Sequence, residues 1–125
     1  MKFIEYTVKV DENGSKEWLQ NGKRHREDGP ACEWADGTKY WYKEGQYHRE
    51  DGPAIEYKDG TKEWYLNGKL HREDGPAVIY NTGSEYWYLN GAKYSRNEFF
   101  EKTSAASFTN KVIRIDGKAY KLIQI

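Results

Sequence analysis

The sequence predicts a mainly β fold: an elongated antiparallel meander of β-hairpin repeats, followed by a short C-terminal helix and a terminal hairpin. Three observations carry that expectation. The segment His-Arg-Glu-Asp-Gly-Pro-Ala occurs three times unchanged, at 25–31, 48–54 and 71–77, always 23 residues apart. Asx-Gly pairs recur on the same lattice, and such pairs favour tight hairpin turns because they tolerate positive φ. Five Trp and eleven Tyr stand in for scarce aliphatic residues, so the core can be built on rings. Self-similarity at a fixed period marks a repeat array, whose units bury their apolar faces only by stacking on one another.

Residues 1–13 read as an N-terminal capping strand, with Phe3 and Tyr6 available to cover the first hairpin. Residues 14–91 hold three full repeats and part of a fourth. Trp18, Trp41, Trp64 and Trp87 keep register there, as do Gly14, Gly37, Gly60 and Gly83, and Gly22, Gly45, Gly68 and Gly91. Each repeat supplies two short strands. A two-residue loop at Asp59-Gly60 puts Ile55 opposite Trp64 and Ala54 opposite Tyr65; the same construction pairs Cys32 with Trp41 and Val78 with Trp87. It also sets Glu56 against Glu63, a like-charge pair that belongs on the solvent side. Strand alternation sends the tryptophans to one face, taken as the core side. Tyr42, Tyr65 and Tyr88, with Tyr40 and Tyr86, go to the other. The competing account is the reverse assignment, tyrosines in the core and tryptophans outside. Residues 92–125 close the chain. Ser95-x-x-Glu98 is a capping box for a helix over 96 to about 107, with Phe99, Phe100 and Ala106 on its buried face. Residues 112–115 and 119–125 then flank Asp116-Gly117 as a last hairpin. The length of 125 residues suits a single domain.

The Gly-Thr-Lys-x-Trp-Tyr-x-x-Gly element at 37–45 and 60–68, and the Tyr-x-Asp-Gly connection at 57–60, resemble the MORN repeat family in its bacterial and phage variant form. The resemblance implies sheets of successive hairpins that serve as interaction modules. The unchanged seven-residue block is similar to that of small bacterial and bacteriophage proteins. What this implies is a phage-encoded factor that occupies a host enzyme or defence component in the host cytoplasm.

Charge and cysteine usage exclude several classes. Twenty Lys+Arg balance twenty Asp+Glu, which argues against a protein that coats nucleic acid. Residues 14–91 carry 11 basic and 14 acidic side chains, and residues 92–125 carry 7 and 3. The net −3 of the repeats also argues against a MORN-style contact with acidic phospholipid, so no membrane partner is expected. Cys32 is the only cysteine, which excludes an intrachain disulfide and a cysteine-built zinc site and favours a reducing cytoplasm. His25, His48 and His71 sit on rungs about 10 Å apart, too far to share a metal whose ligands lie at about 2 Å. No metal and no cofactor are expected.

Glu27-Asp28, Glu50-Asp51 and Glu73-Asp74 offer paired carboxylates, but three identical copies read as architecture, whereas a catalytic pair is a single asymmetric constellation. No catalytic residue is assigned. The expected function is a non-enzymatic protein-interaction module, whose partner-binding surface is Tyr42, Tyr65 and Tyr88 with Arg49 and Arg72. The arginines admit a second reading, in which each pairs with a carboxylate of its own or the neighbouring turn. A second function class is a small-ligand binder that sequesters a nucleotide, with aromatics stacked on the base and arginines on the phosphates. An unpaired sheet edge also permits a homodimer.

Overall fold

The computed structural model of the chain describes residue 3 and residues 5–108, 112–115 and 117–121. The chain divides into two compact units, Met1–Lys93 and Tyr94–Ile125. The fold is mainly β, with antiparallel hairpin-like sheets and one short helix near the C-terminus.

In the first compact unit the strands are β1 (Thr7–Val10), β2 (Lys16–Gln20), β3 (Lys23–Arg24), β4 (Cys32–Glu33), β5 (Lys39–Tyr40), β6 (Tyr42–Lys43) and β7 (Gln46–Tyr47). They continue as β8 (Ile55–Glu56), β9 (Lys62–Glu63), β10 (Tyr65–Leu66), β11 (Lys69–Leu70), β12 (Val78–Ile79), β13 (Glu85–Leu89) and β14 (Ala92–Tyr94). The main sheet runs β1-β2-β4-β5-β8-β9-β12-β13-β14, with β3 paired to β2. The chain order is thus a meander, as the repeat lattice predicts. In the second and third repeats a small ribbon leaves the sheet, β6 with β7 and β10 with β11. The ribbons turn on Glu44-Gly45 and Asn67-Gly68, where both residues have positive φ (51° and 82°, 50° and 79°). These are two-residue loops of the primed type, whose twist matches the strands.

The hairpins at Asp36-Gly37 and Asp59-Gly60 differ from expectation. Only the glycines have positive φ, 99° and 93°, and Tyr57 N–H donates to Thr61 O while Gly60 N–H donates to Tyr57 O. The loop therefore has three residues, 58–60, with glycine in the left-handed place that closes a type I turn. Register shifts by one. Ile55 lies opposite Glu63, Cys32 opposite Tyr40 and Val78 opposite Tyr86, not opposite the tryptophans. The feared Glu56–Glu63 pair does not form; Glu56 faces Lys62 on one side and Lys39 on the other. Opposite charges alternate from Lys16 and Glu33 to Lys39, Glu56 and Lys62. Such cross-strand pairs favour this register by roughly 0.2–1 kcal/mol each. The buried apolar row Cys32, Ile55 and Val78 consequently lies on the tyrosine side.

Every member of the repeated block has a structural partner. Ala31, Ala54 and Ala77 are fully buried, and the carbonyls of these alanines accept the Trp18, Trp41 and Trp64 N–H groups. The guanidinium carbons of Arg26, Arg49 and Arg72 stand 4.0, 3.9 and 4.0 Å from the ring centroids of Trp18, Trp41 and Trp64. Their Nε groups donate to Asp28, Asp51 and Asp74, and their Nη1 groups to the carbonyls of Pro30, Pro53 and Pro76. Arg26 and Arg49 also reach Glu33 and Glu56 at 3.5 and 3.4 Å. Nδ1 of His25, His48 and His71 accepts the N–H of Glu44, Asn67 and Asn90 in the next repeat's turn. A backbone N–H can only donate, so Nδ1 is unprotonated and Nε2 carries the hydrogen toward Glu27, Glu50 and Glu73. A second rail joins the repeats on buried hydroxyls: Ser15, Thr38 and Thr61 accept from the N–H of Ala35, Lys58 and Asn81.

Phe3 is 79 % exposed and covers nothing, contrary to expectation; Tyr6 alone stacks on His25, at 6.4 Å between ring centroids. In the second compact unit α1 (Arg96–Phe108) opens on the expected capping box, with Glu98 N–H donating to Ser95 Oγ and Ser95 N–H to Glu98 Oε1. Phe99 is buried, whereas Phe100, expected beside it, is 42 % exposed. The side chain of Ala106 lies outside the described residues. β15 (Val112–Ile115) and β16 (Lys118–Lys121) form the last hairpin, and the part of its expected second strand at 122–125 is outside them too.

Candidate functional site

The tyrosine side of the first compact unit carries a contiguous layer of rings. Tyr42 and Tyr47 lie 4.6 Å apart between centroids, Tyr47 and Tyr65 5.0 Å, and Tyr40 contacts Tyr42, Tyr47, Tyr57 and Trp34 at 5.9–6.4 Å. Tyr40 ends β5 and Tyr42 opens β6, and their rings meet 6.4 Å apart although the strand breaks at Trp41. The layer lies on the buried Cys32, Ile55 and Val78 row through the register described above. At its margin Trp34 is 43 % exposed; Tyr80, 44 % exposed, stands edge-on to Tyr86 at 5.7 Å.

Burial and negative neighbours raise the tyrosine hydroxyls. Tyr57 is pushed up to about 12, first by burial and then by Glu63; Tyr40, Tyr47 and Tyr65 are also raised, chiefly by burial. These hydroxyls therefore act at neutral pH as hydrogen-bond donors, not as bases. Glu63 is half-buried in the layer, and burial raises its carboxyl; the Tyr65 hydroxyl donates to it at 3.2 Å. Cys32 is pushed up to about 11 by burial, so its thiol is inert at neutral pH.

Of the five residues expected at the interface, Tyr42 and Tyr65 belong to this ring layer. Tyr88 is half-buried, and its carbonyl accepts the Arg72 N–H. Arg49 and Arg72 lie elsewhere, stacked on Trp41 and Trp64 and held by their own turns. They line an open groove of about 700 Å³ between successive turns, together with Glu50, Asp51, Glu73 and Asp74. A similar groove of about 570 Å³ runs between the first and second turns and includes Tyr42, so tyrosine and arginine meet there at one point. Sequence reasoning missed Trp34, Tyr47, Tyr57, Tyr80 and Glu63. The signal was present for Trp34, Tyr57 and Tyr80, which occupy one lattice position 23 residues apart.

Among the described residues no group of His, Cys, Asp and Glu is placed to hold a metal ion, and no helix is long and apolar enough to cross a membrane. No family model, curated protein or solved structure matches the chain.

Proposed function

We propose that the chain is a non-enzymatic protein-interaction module that presents the tyrosine face of its central repeats to a protein partner. The observation that carries this reading is the contiguous ring layer, with Trp34 exposed at its margin and Tyr80 exposed beside Tyr86. Tyr and Trp supply rigid, amphipathic contact area at low entropy cost and dominate binding energy in many interfaces. Following the resemblance to MORN repeats, the partner is a host or defence protein met in the cytoplasm.

Sequestering a nucleotide needs arginines free to hold phosphate. Arg49 and Arg72 direct their Nε and Nη1 donors to Asp51, Asp74 and the two proline carbonyls, and a phosphate in their groove meets four carboxylates. Charge opposes that ligand.

The test is affinity capture from bacterial lysate, followed by binding of the purified captured protein to wild type and to a Trp34→Ser, Tyr80→Ser double variant. Both positions are exposed, so circular dichroism should not change. The reading expects binding to weaken at least about tenfold, as for loss of interface anchors. Undiminished binding by the double variant would contradict it.

A further inference from the structure

One carboxylate on the tyrosine face lacks the counter-charge that its lattice equivalent possesses. In the first repeat Glu17 is neutralised by Arg24, whose Nε lies 2.7 Å from Glu17 Oε1. The same guanidinium donates through Nη1 to the Tyr42 hydroxyl at 3.1 Å and stands 5.3 Å from the Tyr42 ring centroid. Moving two repeats along the lattice turns Glu17 into Glu63, Tyr42 into Tyr88 and Arg24 into Leu70. The cross-strand partners match, although β2 is continuous where the third repeat breaks between β9 and β10. Glu17 faces Cys32 as Glu63 faces Val78, and Leu19 faces Arg24 as Tyr65 faces Leu70. The carboxylate and the tyrosine are kept while the cation is gone.

Among the described residues no cation pairs with Glu63, whose one side-chain hydrogen bond comes from Tyr65. Its raised carboxyl pKa agrees with a half-buried acid short of positive charge. Leu70 brings no charge to Glu63 where Arg24 serves Glu17, and Glu63 and Tyr88 both keep part of their surface exposed.

We propose that Glu63 and Tyr88 receive an arginine side chain of the protein partner, in the arrangement that Arg24 makes with Glu17 and Tyr42. This rests on the protein-interaction reading above. Arginine fits better than lysine because its planar fork can serve a carboxylate and a hydroxyl while its face lies on a ring. Glu63 is also among the negative charges that raise the Tyr40 and Tyr57 hydroxyls.

The test is an NMR titration of the full chain with Nα-acetyl-arginine methylamide, with the uncharged citrulline analogue as control. Saturable shifts at Glu63, Tyr65 and Tyr88 are expected with the arginine probe alone. Glu63→Gln should weaken that binding at least about tenfold, the cost of losing a charge-assisted hydrogen bond. Tyr88→Phe, which keeps the ring, should weaken it less. Leu70→Arg, which supplies the missing cation from within, should abolish it. No saturable shift, equal shifts with citrulline, or an unchanged response in Glu63→Gln would overturn the inference. If the probe fails while partner binding still depends on Trp34 and Tyr80, the arginine site falls and the interaction reading stands.

Discussion

A Cβ added at Gly75 would lie 2.8 Å from Arg72 Cζ, and one at Gly52 2.9 Å from Arg49 Cζ. Either arginine can yield only by giving up its stack on tryptophan and its bonds to an aspartate and a proline carbonyl. Gly75→Ala is therefore expected to destabilise the fold by about 1–3 kcal/mol, as overpacking does; chemical denaturation measures it. Histidine is equally specific. Because Nδ1 accepts a backbone N–H in all three copies, ¹⁵N spectra at neutral pH should show Nδ1 of His25, His48 and His71 unprotonated and Nε2 bearing the hydrogen. The opposite tautomer would contradict the repeat-to-repeat link. Of this, only the pairing of each arginine with a carboxylate of its own turn was readable from the block itself. A sequence shows that His, Arg and Gly recur, but the tryptophan under each arginine and the backbone N–H that each histidine accepts belong to other segments of the chain.

At the scale of the hairpin, one residue in the loop decides which side chains share a face. Asp-Gly fits both a two-residue and a three-residue loop, so the turn signal was legible while the register was not. In two hairpins the Asp side chain supports the longer loop, its Oδ1 accepting the N–H of Thr38 or Thr61 two residues on, while the hairpin over 81–83 makes the same loop with Thr82 in that place. That backbone bond, aided by the threonine hydroxyl, holds Asp36 and Asp59 below the usual carboxylate range. A depressed folded-state pKa gives stability that is present above the unfolded value, near 4, and lost as pH falls through the folded one. Thermal stability should accordingly decline below about pH 4, and Asp59→Asn, which keeps the turn without the titration, should flatten that decline. Cys32 has the opposite sign. Its pKa is raised to about 11, so its contribution is complete below the ordinary thiol value and lost as pH rises through about 11. Cys32→Val, the residue type found at lattice position 78, should melt like wild type at pH 7 and resist alkali better above about pH 9.

Across the whole chain, the 23-residue lattice made the meander legible and Ser95-x-x-Glu98 the start of α1, because both are written in local residues. The candidate site was only half legible. Alternation placed Tyr42 and Tyr65 correctly on one side, yet the same row of arginines that suggested an interface is engaged in holding turns onto tryptophans. The two accounts of the arginines separate in thermal unfolding. Arg49→Gln removes the Trp41 stack and the contacts to Asp51, Pro53 and Glu56 together. If the block is a structural clamp, the melting temperature of Arg49→Gln falls by about 4–8 °C, the shift expected for a loss near 1–2 kcal/mol in a chain of this size. A variant that melts with wild type would contradict the clamp, and would return Arg49 and Arg72 to the partner-binding surface.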